Sequence, residues 1–333
     1  MHLAELFSRN LILGDPFAVH GLGIIPLLGD TSLNSPALDL LEQALDAGSF
    51  KVTEVSEGGS VPFLRAENSG ANPVLILDGE ELVGGKQNRI VNATIIILPG
   101  KMMDIPVSCM EAGRWNRQRE DFAAGEAVFR AKSRAVQKAS VTSSLRREGS
   151  FHSDQGAVWD EVSDSLAEMR APSATSDFRA GRAKIAHRID AFVEVIRAQD
   201  RQLGAIFLSK RGILGLELLA SPELFGRCLR KIVRSFAFEV LADEDLSSVP
   251  RDPAAAWWEK VQKAPLSRRS SPGAGEDLRI EMPDLIDSGL LWNDALVHFS
   301  CFPGNAVSKE FGGGEPHRAS AGERRRRSST RQE

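Results

Sequence analysis

Between residues 78 and 115 the chain gathers the side-chain types that do chemistry. Asp78, Glu80 and Glu81 make a carboxylate-rich turn, Lys86, Gln87, Asn88 and Arg89 follow as a row of cations and amides, Cys109 and Glu111 set a thiol beside an acid, and Arg114 and Trp115 close the stretch. Neighbouring carboxylates can work as general acid and base, or hold a hard divalent cation through oxygen ligands. Lys86, Arg89 and Arg114 could then neutralise phosphates, Arg through a planar fork of donors, and Trp115 could stack on a base. Cys109 invites a nucleophile reading. A reactive thiol, however, wants a cationic or helix N-terminal setting and usually a His partner, no His lies near it in sequence, and a Cys at a strand end is equally a small core residue. The catalytic candidates are Asp78, Glu80, Glu81 and Cys109; the ligand-binding candidates here are Lys86, Gln87, Asn88, Arg89, Arg114 and Trp115.

These residues sit among apolar runs at 74–77, 90–98 and 103–109, which read as strands, the first two ended by the turn pairs Asp78-Gly79 and Pro99-Gly100. The Gly84-Gly85 pair lets the backbone take φ > 0 or approach a ligand closely. Two readings stand side by side: a solvated hairpin loop, or a polar ligand site on a β scaffold. Glu54, Glu57 and Arg65 flank the Gly58-Gly59 turn and could face this row, although alternation alone places Glu54 on the solvent side of a half-buried strand.

The strings DGEELVGGKQNRIVNATI, IPVSCMEAGRW and SDQGAVWDEV resemble a bacterial family named for its association with ADP-ribosylglycohydrolases and rhodanese-like phosphatases, over residues 21–302. The resemblance implies a part in NAD or ADP-ribose metabolism, an associational warrant only. It also raises Asp154, Gln155 and Trp159 as ligand-binding candidates, with Trp159 a second stacking surface. Asp154 has a structural explanation too, since Ser153 or Asp154 can cap a helix whose apolar face is Val158, Val162 and Leu166.

At 333 residues, 42% hydrophobic and 26% charged, the chain can bury one large core or two modest ones. A formal charge of -4 gives no general pull toward nucleic acid. The exception is local: basic residues outnumber acidic ones across 112–151, which could recognise phosphate, present a solvated face, or bind RNA. Three cysteines with no CxxC pair fit a reduced, cytoplasmic setting. No metal-ligating set, P-loop, nucleophile elbow or dinucleotide fingerprint occurs at the required spacing. Asp15 and Pro16 interrupt the N-terminal apolar stretch, so neither a leader nor a membrane partner is expected.

In chain order, residues 1–20 read as a loosely packed lead-in, and 21–302 as a single domain: β-rich over 21–115, helical over 116–200, mixed over 201–302. A helix is expected from Ser35-Pro36 to Gly48, another over 183–196 with His187 at its surface, a hairpin at 203–218, a helix from Ser221 to about residue 241 with Cys228 buried, and strands near the end. Residues 303–333, with GGG and RRRR, read as a disordered tail. The fold class is α+β: a β-rich N-terminal half, a helical middle, and a C-terminal hairpin, helix and strands. Two functions follow as expectations. The first is binding or processing of an ADP-ribose-like or other phosphorylated nucleotide-derived ligand, with the cofactor unspecified and a divalent metal admissible. The second is a non-catalytic binding or scaffold module for a protein partner.

Overall fold

The structure, a computed structural model, describes residues 2–6, 11–29, 37–56, 58–111, 119–170 and 177–307. It is α+β, as expected. The lead-in is more ordered than its pattern suggests: α1 (Leu3–Leu6) buries Leu3, and β1 (Ile12–Leu13) and β2 (Phe17–Val19) both pair with β3 (Leu22–Leu28). Ser35 and Pro36 lie outside the described residues; beyond them, β4 (Asp39–Leu40) runs into α2 (Leu41–Asp46), which starts later than the sequence pattern implies.

The next eight strands are β5 (Phe50–Glu54), β6 (Phe63–Asn68), β7 (Val74–Ile76), β8 (Glu80–Gly84), β9 (Arg89–Val91), β10 (Ile95–Ile97), β11 (Met102–Cys109) and β12 (Phe122–Val128). Glu80 to Gly84, read as a loop, is a strand, because its donors and acceptors are taken up by pairing with β9 and β12. The apolar run 90–98 is two strands. It breaks at Asn92, whose side chain bonds the backbone of Phe151. Phe122–Val128 is a strand where helix was expected; its alternation of small residues carries little apolar signal.

Six of these strands form one sheet in the order β12-β8-β9-β11-β6-β5, and a bridge between Thr53 and Asp121 joins its outer members. The sheet therefore curls into a barrel, closed at that one bridge. Phe50, Val52, Leu64, Leu82, Val107 and Phe122 fill the interior. At one end, the three-stranded sheet β10-β7-β4 presents Val74, Ile76, Ile95 and Ile97 to the barrel and Leu75 and Ile96 to the other side. The opposite end is where the β5–β6 and β8–β9 turns and the start of β12 meet.

Four helices follow: α3 (Ala131–Glu148), α4 (Gln155–Glu168), α5 (Phe178–Ala183) and α6 (Ala186–Val195), the last falling within the helix expected over 183–196 and α5 preceding it. Asp154 does cap α4, accepting from the amides of Gly156 and Ala157 at 2.9 and 3.2 Å. The chain then makes the hairpin β13 (Gln202–Ser209) and β14 (Gly212–Leu219), the helices α7 (Pro222–Ala237) and α8 (Arg251–Lys263), and the strands β15 (Leu266–Ser270), β16 (Glu276–Ile280), β17 (Leu285–Trp292) and β18 (Ala295–Pro303). A short 3-10 turn, Gly304–Val307, continues past the point where the tail was expected to begin; residues 308–333 lie outside the description.

Strands from both ends of the chain share a nine-stranded sheet, β1-β3-β13-β14-β18-β17-β16-β15 with β2 beside β3. Period-two alternation sorts its side chains. Ile24, Phe207 and Phe302 face α6 and α7, while Ile25, Ile206 and Phe299 face α8. No described helix is long and apolar enough to cross a membrane.

The Gly84-Gly85 pair has a packing cause. Gly85 sits at φ 47°, and a Cβ there would lie 2.2 Å from the Phe122 ring and 2.7 Å from Glu54 Oε1. Replacing Gly85 with Ala is therefore expected to destabilise the protein by roughly 1–3 kcal/mol through overpacking, with about 1 kcal/mol more from the left-handed backbone. Urea denaturation measures this, and an unchanged midpoint would show that the turn does not depend on the close approach.

Candidate functional site

The chemistry-bearing residues separate into two centres. One lies where α3 is held between the barrel and the nine-stranded sheet. Asp78, in the turn between β7 and β8, accepts from Arg134 at 3.0 Å and pairs with Lys138 at 2.6 Å, two cations one turn apart on α3. Its other oxygen accepts from Thr94 at 3.1 Å and from Ser288 on β17 at 3.0 Å. Arg134 also pairs with Glu217 on β14, Glu217 meets His298 Nε2 on β18 at 2.9 Å, and His298 Nδ1 returns to Thr94 at 2.8 Å. Lys138 bonds Ser288 as well. None of Asp78, Arg134, Lys138, Glu217 and His298 is more than 2% exposed.

The electrostatics follow from that burial. Desolvation alone would raise Asp78, but Lys138, Arg134 and His298 hold its carboxyl well below the usual range. Glu217 is lowered for the same kind of reason: burial would raise it, and Arg134 and His298 together outweigh burial. Burial pushes the Lys138 ammonium down to about 8 against the pull of Asp78. Nearby on β17, burial lifts Asp287 to about 7, opposed by Arg279. Arg279 bonds the Asp287 carbonyl at 3.0 Å and forks onto Asp277 at 2.8 and 2.9 Å.

The three carboxylates of the turn diverge. Asp78 goes to α3; Glu80 pairs with Lys231 on α7 at 2.9 Å; Glu81 is gripped by both terminal nitrogens of Arg182 on α5, with Arg179 at 3.8 Å. The three are therefore not gathered as a pair, each carboxylate meeting a cation on a different helix. This also separates them as metal ligands. Among the described residues no group of three or more His, Cys, Asp or Glu is gathered in a metal-binding arrangement.

The second centre is the barrel end. Arg89, opposite Leu82 and Cys109 across the sheet, shares their inward face and donates to Gln87 Oε1 at 2.8 Å and to the Cys109 sulfur. Gln87 donates to the Glu111 carbonyl at 2.7 Å. Gln155, from the start of α4, pairs with both the N–H and the C=O of Cys109 at 2.8 Å, finishing β11 as another strand would. Glu54 lies opposite Leu64, so it too points inward rather than to solvent, and its Oε1 accepts from the Lys86 amide at 2.9 Å. Asn88 accepts from the Gly84 amide at 3.2 Å and shapes the turn. Burial pushes the Cys109 thiol up to about 11, with Arg89 opposing and Glu54 adding to the rise. The thiol is therefore held as S–H, a setting opposite to that of an activated nucleophile.

The structure thus gathers Gln87, Arg89, Cys109, Gln155 and Glu54, with Lys86 half-buried beside them, and leaves Asp78, Glu80 and Glu81 elsewhere. Asp154 is a helix cap, and Trp159, 38% exposed, stands one turn beyond Gln155 on α4. Glu57, Arg114 and Trp115 lie outside the described residues. Sequence reasoning did not single out Glu217, Ser288 or His298, nor Arg134 and Lys138 within the basic segment. Their signal was a lone polar residue inside a continuous apolar strand, LGLELL or ALVHFSCF, which a buried strand tolerates only with partners.

Truncating Asp78 to Ala is expected to destabilise the fold by about 3–5 kcal/mol, because buried Arg134 and Lys138 lose a countercharge; equilibrium denaturation reads the difference. Asp287 supplies a pH signature. Its folded value is raised from 3.8 to about 7, so its contribution to stability is complete below the lower value and is lost as pH rises through the upper one. Stability is expected to fall across that window by on the order of 1 kcal/mol per pH unit. Asp287→Asn should flatten the slope, and an identical slope in the variant would remove Asp287 as its source.

The comparisons with known proteins fall on this geometry as follows. Neither the curated proteins nor the solved structures provide a match. The model of one family covers residues 10–302, both centres included, and the chain belongs to that family, the ARG and Rhodanese-Phosphatase-superfamily-associated Protein domain.

Proposed function

We propose that this domain binds a phosphorylated, nucleotide-derived ligand of the ADP-ribose kind at the barrel end around Glu54, Gln87, Arg89 and Cys109. One observation carries the reading: the apolar barrel interior turns ionic at this end, where Arg89 is 0% and Glu54 9% exposed. Burying a cation and a carboxylate costs free energy that a packed apolar filling would not, so a site that keeps them has a use for them. Barrel ends are common places for such sites. Lys86 adds positive charge beside the cluster, and the exposed Trp159 gives a base a ring to stack on. The ADP-ribosylglycohydrolase association in the family's name supports the ligand class by association only.

The chemistry favours recognition over covalent catalysis. Cys109 is held protonated, and Asp78, Glu80 and Glu81 are engaged by cations, which leaves no activated nucleophile among the candidates. A scaffold for a protein partner is the second reading, favoured by Trp159 and Val61 standing exposed at 38% and 42%.

Thermal unfolding with ADP-ribose and NAD tests the proposal. A ligand bound only by the folded chain at 100 times its dissociation constant adds about 2.7 kcal/mol, expected as a midpoint raised by several degrees. No shift with either compound, together with recovery of a stoichiometric protein partner, would transfer the assignment to the scaffold.

A further inference from the structure

We propose that Glu54 is the acceptor for a sugar hydroxyl, so that the ligand meets the barrel end with its ribose and keeps its phosphates outside; this rests on the binding reading above. Glu54 closes β5, where its pairing with Leu64 turns the side chain inward, and it is 9% exposed. One carboxylate oxygen is satisfied, by the Lys86 amide at 2.9 Å. The other, Oε2, is buried with no hydrogen-bond partner among the described residues. Such an atom is uncommon in a folded protein and calls for a partner.

The chemistry of Oε2 restricts that partner. A carboxylate oxygen accepts hydrogen bonds, so Oε2 needs a donor. A phosphate offers acceptor oxygens and negative charge, and both count against it there. A cationic group meets a second obstacle, since Arg89 lies close enough to Glu54 for both to act on the Cys109 thiol and already supplies a positive charge. A neutral donor suits this balance, and the hydroxyls of a ribose provide it. The same carboxylate-to-ribose contact is a general device of nucleotide recognition.

The orientation is tested on the full chain by calorimetry with ribose 5-phosphate, 2-deoxyribose 5-phosphate, pyrophosphate and ADP-ribose. Ribose 5-phosphate is expected to bind at least about tenfold tighter than its 2-deoxy analogue, the size of effect that one buried hydrogen bond to a charged group can give. Pyrophosphate should not displace it. Glu54→Gln, which keeps the shape and the Lys86 contact, should abolish the hydroxyl preference. The ligand series reads on the unaltered protein, so the test survives if the variant fails to fold. Equal affinity for the two sugar phosphates, or tighter pyrophosphate binding by Glu54→Gln, would overturn the ribose-first orientation while leaving the site in place. Absence of binding by ADP-ribose and both sugar phosphates would remove the site and the orientation together.

Discussion

The Asp78 carboxylate is the point on which the layers of this protein converge. It hangs from a turn of the barrel, takes its countercharges from α3, and is finished by Ser288 of the nine-stranded sheet. Remove the charge and two buried cations face each other across a helix turn with Glu217 alone to answer them. Such networks add little net stability over an apolar filling of the same shape, because desolvation offsets most of the Coulombic gain. What they enforce is uniqueness: the planar Arg134 fork reaches both Asp78 and Glu217 in one placement of α3. Ring contacts reinforce it, with the Arg134 guanidinium 5.5 Å and the Lys138 ammonium 5.9 Å from the centre of the Phe302 ring.

That constraint explains the character of α3. Its buried face holds Ser133, Arg134, Gln137 and Lys138 besides Ala131, Ala135 and Val141. A helix so polar would not form a stable amphipathic element alone. It is paid for by partners on every side: Ser133 bonds Glu161 of α4 at 3.0 Å, Gln137 bonds Asn92 of the barrel at 2.8 Å, and Arg130, just before its first turn, pairs with Glu168 and Glu239, each at 2.7 Å. Gly149, at φ 67°, then ends it in a left-handed cap.

The same physics decides how much could be read in advance. Strands with strong apolar runs, such as β11, β13, β14 and β18, were legible, as were the Ser221 cap of α7 and the Asp154 cap of α4. The barrel was not, because its closure depends on one bridge between Thr53 and Asp121, far apart in sequence and carrying no pattern. The buried face of α3 was not, because its residues read as solvent-facing by type. Of the candidate site, Gln87, Arg89 and Cys109 were flagged as chemically unusual, but their grouping with Glu54 rests on β5 lying across the barrel from β9. Composition marks which residues need an explanation; only pairing says which of them explain one another.

The two centres differ in a way that bears on their roles. Both carboxylates at the first centre are answered, Asp78 by Thr94, Ser288, Arg134 and Lys138 and Glu217 by Arg134 and His298, while Arg134 Nε is buried without a hydrogen-bond partner. A network so densely bonded resists rearrangement, because breaking any one bond leaves a further buried group unpaired. The barrel end is arranged otherwise. Gln155 completes β11, the Gly84-Gly85 turn is shaped by Asn88 and pressed against Phe122, and one oxygen of Glu54 is left over. Rigid supports around an incomplete polar group are what precise binding requires, since the geometry is set before the ligand arrives. Because Asp78 and the β8–β9 turn stand at opposite ends of the same two strands, the centre around Asp78 anchors the hairpin that carries the barrel end.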